Sequence, residues 1–173
     1  VAVSMRTATE VGGDYYDFRI APDGALVAAV GDATGHGFAP ALSATQMQAM
    51  LRVAFRLNAD LDSAYKHVNN QLAEDLPDDR FITAFMGFLN PRTHCVEYHS
   101  GGQGPILHFH ASDGACDWHK PTSFPVGIME LDDQQESATI QLEPGDILAL
   151  ISDGVYEYAN VEGEEFGEER VAS

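Results

Sequence analysis

The stretch ALVAAVGDATGHGFAPALSATQMQAM, residues 25–50, contains a change from strand to helix periodicity. Residues 25–30 form an unbroken apolar run that is typical of a buried strand, and the run ends at Gly31 and Asp32. Further on, apolar residues recur at helical spacing, and Pro40 suits the first turn of a helix. The stretch therefore predicts a strand that leads through an acidic, glycine-rich turn into a helix.

Two amphipathic helices are predicted after this turn, over residues 39–58 and 60–76. The apolar face predicted for the first helix consists of Leu42, Ala49, Met50, Val53 and Leu57. The face predicted for the second helix consists of Leu61, Ala64, Tyr65, Val68 and Leu72. Asp60 or Asp62 is the candidate N-cap of the second helix.

The rest of the chain has the patterns of strands. Before the helices, the alternation of Val1, Val3 and Met5 predicts one strand and DYYDFRI another, with a turn at 22–24. After the helices, six further strands are predicted over 81–90, 94–100, 105–111, 115–120, 136–142 and 146–152. This order predicts an α+β fold in which two mainly antiparallel sheets face each other with helices outside, as a single domain over residues 1–173.

The composition excludes several classes of function. The net charge is −18, from 27 acidic and 9 basic residues, which disfavours nucleic acid and anionic membranes as partners but suits divalent cations. There is no apolar run of the ~20 residues that a membrane helix needs, and the N-terminal residues do not resemble a secretory signal. Cys95 and Cys116 have no zinc-site spacing and indicate reduced thiols, so we expect a cytoplasmic protein.

Three acidic turns adjoin predicted strand ends. Asp14 lies in EVGGDYYDF (10–18), Asp32 in VGDATGHG (30–37) and Asp153 in ISDGVYE (151–157). Carboxylates from three remote segments that meet at one edge would raise each other's pKa, and a hard divalent cation would relieve that repulsion. The alternative is that Asp-Gly pairs simply form good turns, and spacing alone does not decide between the two.

Glycines surround each of these aspartates. The backbone could approach other groups closely or adopt a positive φ at these glycines, which are Gly12, Gly13, Gly35, Gly37 and Gly154. The Ala33 carbonyl, which follows Asp32, is then a candidate ligand as well. In a regular strand Asp17 faces the side opposite Asp14, because the two positions differ by an odd step, so we expect Asp17 outside the site.

Several blocks of the sequence carry a resemblance to a known family. They are EVGGDYYDF, VGDATGHGFAPALSA, FITAFMGFLN, YHSGGQGPILHF, FPVGI and EPGDILALISDGVYEYANVEGEEFGEERV. In this order, along nearly the whole chain, they resemble the bacterial SpoIIE/RsbU-type serine phosphatases of the metal-dependent PP2C-like (PPM) superfamily.

The resemblance implies an αββα sandwich that holds two Mn²⁺ or Mg²⁺ ions. It implies hydrolysis of phosphoserine or phosphothreonine in a protein, usually a STAS-type anti-anti-sigma factor, by a hydroxide that bridges the ions. By position, Asp14 and Asp32 would bind or bridge the metals, the Ala33 carbonyl would bind the second ion, and Asp153 the first. His36 would donate a proton to the leaving serine oxygen, or would instead orient its loop by hydrogen bonding.

The chain departs from the family pattern in one respect. Members carry a further acidic metal ligand in a turn beyond the position of Ser173, and an N-terminal lead-in segment that is also missing here, so we expect a domain that is truncated at the C-terminus and at the N-terminus. The alternative function is therefore a non-catalytic pseudophosphatase that binds a sigma-factor regulator. The resemblance also implies a sensor or receiver domain elsewhere in the parent protein.

A second candidate metal site involves histidines. His108 and His110 fall on one face of a predicted strand, with His99 and His119 on strands that could be its neighbours. Such a group could bind zinc or nickel, and the alternative is a polar strand face.

Overall fold

The computed structural model describes residues 1–6, 11–21 and 24–173. Glu10 of the first acidic motif, and Pro22 and Asp23 of the turn predicted at 22–24, lie outside the described residues. Residues 1–6 form no strand, and Val1, Val3 and Met5 are exposed, so the strand predicted there is wrong.

In the described part of the chain, eight strands form two antiparallel sheets. In chain order the strands are β1 (Asp14–Ile20), β2 (Leu26–Ala33), β3 (Ile82–Asn90), β4 (Cys95–Gly101), β5 (Ile106–Phe109), β6 (Cys116–His119), β7 (Ala138–Gln141) and β8 (Ile147–Leu150). The larger sheet has the order β1-β2-β3-β4-β7, and the smaller sheet has the order β6-β5-β8. The strands predicted over 14–20, 25–30 and the six segments after residue 80 are all present.

The helices are α1 (Phe38–Arg56), α2 (Leu61–Asp75), α3 (Asp153–Tyr156) and α4 (Glu168–Val171). Helices α1 and α2 pack on one face of the larger sheet through a core that includes Met47, Leu51 and Leu72. On the opposite face, Phe85 and Tyr98 pack against Ile106 of the smaller sheet. The predicted α+β fold, in which two antiparallel sheets face each other, is confirmed.

The buried face of α1 differs from the predicted one. Leu42, Val53 and Leu57 are exposed, whereas the buried residues of the helix are Pro40, Ser43, Ala44, Met47 and Leu51. The small residues Ser43 and Ala44 fit on this face because α1 lies close to β2, where a Cβ on Gly31 would approach the Met47 side chain to 3.2 Å. The helix therefore buries small residues together with Met47 and Leu51, and exposes several other large ones.

Helix α2 has the face that its periodicity predicts. Leu61, Ala64, Tyr65, Val68 and Leu72 are all buried. The N-cap is Asp60, whose side chain accepts a hydrogen bond from the backbone N–H of Ser63. Asp62 has another role, because its carboxylate lies 2.8 Å from Nε2 of the buried His99 on β4. His99 is therefore committed to the interface between α2 and the larger sheet.

No helix in the described part of the chain is both long enough and apolar enough to cross a bilayer.

Candidate active site

Two of the three predicted acidic residues are neighbours across two strands. The β1–β2 register pairs Asp14 with Asp32, and the β2–β3 register pairs Asp32 with Thr83. Side chains that are directly opposite in adjacent strands share a face of the sheet. Asp14, Asp32 and Thr83 therefore form a row across one end of the larger sheet.

The third acidic residue reaches this row from the smaller sheet. Asp153 follows β8 and is the first residue of α3. A cavity of about 90 Å³ lies between the two sheet ends, and both Asp32 and Asp153 line it. Its other lining residues are Thr83, Gly102, Gln103, Gly104, Ser152, Tyr156 and Glu157. The three segments that are remote in sequence thus meet at one cleft.

The electrostatics of the cleft reflect crowded negative charge. Burial, and then the carboxylates of Asp14 and Asp153, raise the pKa of Asp32 to about 6 from its ordinary value of 3.8. Burial, and then Asp153, also raise the pKa of Asp14. Both carboxylates are costly to ionise in this position without a cation. The cleft is therefore suited to positive charge.

A hydrogen-bonded link joins the two sheets beside these carboxylates. The Thr83 hydroxyl lies 3.4 Å from the Asp32 carbonyl and 3.3 Å from Oε1 of the buried Gln103. The Gln103 amide donates to the Ile151 carbonyl at 2.9 Å, two residues before Asp153. Neither Thr83 nor Gln103 was predicted as a site residue. The position of Gln103 inside the glycine-rich turn SGGQGP was the available signal.

The glycine before Asp14 allows a close backbone approach. A Cβ on Gly13 would lie 2.4 Å from the Ala33 carbonyl oxygen, a distance that only glycine can accept. The Ala33 N–H in turn donates to the Gly13 carbonyl at 3.3 Å. Gly13 therefore lets the segment before β1 pack directly against the backbone of the proposed ligand Ala33.

The loop between β2 and α1 contains His36. Gly35 and Gly37 on either side have φ values of 98° and 87°, so the positive φ predicted at these two glycines is present. The His36 side chain is exposed and is not among the residues that line the cavity. Gly154 differs from its prediction, because its φ is not positive and a Cβ there would meet nothing within 4 Å.

Three other polar residues lie near these turns, and their positions differ. Asp17 lies on the helix-facing side of β1, as its parity predicts, and pairs with Arg52 of α1 through contacts of 2.6 and 3.0 Å. Glu157 lines the cavity, whereas the Asn160 side chain accepts from the N–H groups of Glu162 and Glu164 and closes a turn.

The donor set of the cleft fits hard divalent ions. Carboxylates and a backbone carbonyl are the oxygen ligands that Mg²⁺, Mn²⁺ and similar ions prefer. Burial, and then neighbouring carboxylates, raise the pKa of both Asp14 and Asp32, so a cation in the cleft would favour their ionised forms. Asp14, Asp32, Asp153 and the Ala33 carbonyl are thus the groups that could hold such ions.

Comparison with known proteins extends these observations. The family model described as Stage II sporulation protein E (SpoIIE) matches residues 22–173. Phosphoserine phosphatase RsbU of Bacillus subtilis (strain 168) is 25% identical over 150 residues, which are 87% of this chain and 44% of RsbU. The chain thus spans less than half the length of this curated relative.

Solved structures share the fold. The RsbU and RsbW domains of Rv1364c from Mycobacterium tuberculosis match with a TM-score of 0.75 at 26% identity, over 89% of this chain and 42% of that chain. The SiaA-PP2C domain of Pseudomonas aeruginosa matches with a TM-score of 0.76 at 20% identity, over 93% and 64% of the two chains. At this lower identity the second match supports the fold alone.

Proposed function

Because the chain belongs to the SpoIIE family, we propose that it is the catalytic domain of a metal-dependent protein serine/threonine phosphatase. The observation that carries this proposal is the convergence of Asp32 and Asp153 on one cavity, with Asp14 directly opposite Asp32 in the sheet. The family resemblance drawn from the sequence blocks is confirmed by the match over residues 22–173.

We propose that Asp14, Asp32, Asp153 and the Ala33 carbonyl hold two divalent ions, either Mn²⁺ or Mg²⁺. Bound there, the ions would neutralise phosphate oxygens and lower the pKa of a bound water, which is the chemistry that phosphate ester hydrolysis needs. The three carboxylates have to be ionised for this task. Thr83 and Gln103 hold the Asp32 backbone and the Ile151 backbone together, and so position the carboxylates from the two sheets.

The proposed role of His36 is to donate a proton to the leaving serine oxygen. The positive φ angles of Gly35 and Gly37 hold its loop in a conformation that other residues rarely adopt. The exposed imidazole makes no hydrogen bond within the described residues, so its nitrogens are available to a protein substrate. This supports proton donation over a role in orienting the loop.

The proposed substrate is a protein phosphorylated on serine, of the STAS-type anti-anti-sigma class. The relative RsbU is named a phosphoserine phosphatase, and the Rv1364c structure holds RsbU and RsbW domains in one protein. Since the chain covers 44% of RsbU, we further propose that a sensor or receiver domain controls it in the parent protein. The free thiols of Cys95 and Cys116 support a reducing, cytoplasmic setting.

The direct test uses the full-length protein and a serine-phosphorylated STAS protein from the same organism. We expect phosphate release that requires Mn²⁺ or Mg²⁺ and stops when a chelator is added, because the carboxylates alone repel a phosphate. Release is measured with a phosphate sensor, and loss of the phosphoryl group is measured by mass spectrometry. Tight binding of the STAS protein without phosphate release in either ion would instead favour the non-catalytic pseudophosphatase.

A substitution at Gly13 tests the position of the Ala33 carbonyl. In Gly13→Ala, the new Cβ would lie 2.4 Å from that carbonyl oxygen, so the backbone has to move. We expect Mn²⁺ affinity to fall by about 10-fold or more, the loss that follows when the support of a metal ligand is disturbed. Isothermal titration calorimetry with Mn²⁺ measures the change.

Gly154→Ala is the matched control, because a Cβ at Gly154 meets nothing within 4 Å although the residue adjoins Asp153. This variant should bind Mn²⁺ as the wild type does. Equal affinities for Gly13→Ala and the wild type would remove Ala33 from the proposed ligands.

A further inference from the structure

A second group of potential ligands lies on the smaller sheet, away from the cleft. His108 lies on β5, His110 directly follows that strand, and Asp117 of β6 is directly opposite His108. His119 shares that face of β6, and Asp146 immediately precedes β8. We call these five residues the His108 cluster. Asp146 and Asp153 flank opposite ends of β8, so the cluster is separate from the candidate active site.

The cluster is tightly assembled. Nε2 of His108 lies 3.0 Å from Oδ2 of Asp146, and Nδ1 of His110 lies 3.8 Å from the same oxygen. The His108 and His110 rings have centroids 4.1 Å apart. The side chains of His108 and Asp146 are 4% and 3% exposed, whereas that of His110 is 28% exposed. Two of the three groups are thus withdrawn from water, and the third remains accessible.

We propose that His108, His110 and Asp146 form a binding site for one transition-metal ion of the Zn²⁺ class, distinct from the oxygen-rich cleft. One ligand atom from each of the three residues lies within 4.8 Å of the other two. Two imidazoles and a carboxylate are a ligand set that Zn²⁺ accepts, whereas Mg²⁺ and Mn²⁺ favour oxygen ligands alone.

The spacing of these atoms suits tetrahedral coordination. Bonds of about 2.0–2.1 Å from zinc to nitrogen or oxygen place the ligand atoms about 3.3 Å apart. The distances of 3.0 and 3.8 Å to the Asp146 oxygen lie on either side of that value. An ion can therefore replace the hydrogen bond between His108 and Asp146 with small movements of the side chains.

The surrounding groups support this assignment. Nε2 of His110 lies 2.9 Å from a carboxylate oxygen of Asp117, so Asp117 can fix the proton on that nitrogen and leave Nδ1 free for a metal. Nε2 of His119 is buried and has no hydrogen-bond partner in the described part of the chain. The His119 ring stacks on the His108 ring with a centroid distance of 5.9 Å. An unpaired buried nitrogen thus adjoins the three ligands.

Asp146 is fixed in place independently of any metal. Its carboxylate accepts hydrogen bonds from the backbone N–H groups of Ala111 and Glu143 at 2.9 and 3.0 Å. These bonds anchor the turn before β8 and present the Oδ2 atom to the two imidazoles. The competing explanation is that the cluster is only a hydrogen-bonded anchor for this turn, and that explanation requires no affinity for metal.

The test is a Zn²⁺ titration of the metal-free full-length protein by calorimetry, with excess Mg²⁺ present to fill the oxygen-rich cleft. We expect one Zn²⁺ ion to bind through the cluster. Co²⁺ used as a spectroscopic probe should show the visible absorption of a tetrahedral site with nitrogen ligands. Neither measurement depends on phosphatase activity, so a negative result here would leave the proposed function unaffected, and the reverse also holds.

Variants locate the ion. His110→Ala should weaken Zn²⁺ binding by about 100-fold or more and abolish the Co²⁺ absorption, and Asp117→Asn should weaken it by about 10-fold. His67→Ala is the matched control, because His67 is exposed on α2, outside the cluster. This variant should bind Zn²⁺ with the same affinity as the wild type. Asp146 is left unchanged, since its bonds to Ala111 and Glu143 hold the turn.

Two results would overturn the proposal. The first is the absence of Zn²⁺ binding in excess Mg²⁺. The second is Zn²⁺ binding that His110→Ala leaves intact, which would place the ion elsewhere and leave the cluster as a hydrogen-bonded anchor. Circular dichroism and thermal unfolding in a chelator verify that each variant is folded.

Discussion

Asp32→Asn should lower metal-dependent release of phosphate by more than about 100-fold. Loss of a group that merely supports a metal ligand already costs about 10–100-fold, and Asp32 is proposed as a ligand itself. Burial, and then the carboxylates of Asp14 and Asp153, raise the pKa of Asp32, so its carboxylate lies close to both other proposed ligands. Initial rates with a serine-phosphorylated STAS protein at saturating Mn²⁺ measure the effect in the full-length protein.

Asp17→Asn provides the matched control on the same strand pair. Asp17 lies on the opposite face of β1 and pairs with Arg52, so this substitution removes a carboxylate without touching the cleft. Its rate should stay close to that of the wild type, and its melting temperature should change little, as for a partly exposed ion pair. An Asp32→Asn rate close to that of Asp17→Asn would refute the ligand assignment.

The same Asp32→Asn variant should be more heat-stable than the wild type when metal is absent. The folded-state pKa of Asp32, about 6, lies above its ordinary 3.8, so the folded chain binds more protons than the unfolded chain in that interval. Wild-type stability therefore falls as the pH rises through this interval, and asparagine avoids the loss. Melting temperatures in a chelator should differ at about pH 8 and converge toward pH 4.

Leu51→Ala should reduce the free energy of unfolding by about 2–5 kcal/mol, whereas Leu42→Ala should change it by less than about 0.5 kcal/mol. Leu51 is 3% exposed in the core beneath α1, and Leu42 is 69% exposed on the same helix. The two variants remove the same atoms, so they differ only in what surrounds the side chain. Urea unfolding followed by circular dichroism measures both. Equal losses would contradict the orientation of α1 described above.

The strands and helices were predictable because their signals are local. The apolar run at 25–30 ends at Gly31, and the structure ends β2 at Ala33. The pattern at 60–76 gave α2 together with its buried residues and one of two candidate caps. In each case the residues that mark the element also stabilise it, so no distant contact was needed to recognise it.

The orientation of α1 was not predictable in the same way. A helical pattern is recognised mainly by its large apolar side chains, but α1 lies so close to β2 that the small residues Ser43 and Ala44 are on its buried face. The alternation of Val1, Val3 and Met5 misled for a different reason, because three residues imply a strand only where a neighbouring strand is available. Both errors arise from tertiary packing that a local pattern does not contain.

The site was predictable to the level of its carboxylates. The glycine-flanked turns identified Asp14, Asp32 and Asp153, and the structure brings them together, although their binding of metal stays a prediction. Thr83 and Gln103 were missed because their contribution depends on the pairing of β2 with β3 and on the approach of two sheets. No spacing along the sequence encodes that approach.

The division of the carboxylates between two sheets has a mechanical consequence. Asp14 and Asp32 belong to the larger sheet, whereas Asp153 follows a strand of the smaller sheet. The distance from Asp153 to the other two carboxylates therefore depends on how the two sheets are positioned relative to each other. Ions held by all three carboxylates would link the two layers. By thermodynamic reciprocity, a shift of one layer relative to the other would then change the affinity for the ions, and bound ions would oppose that shift.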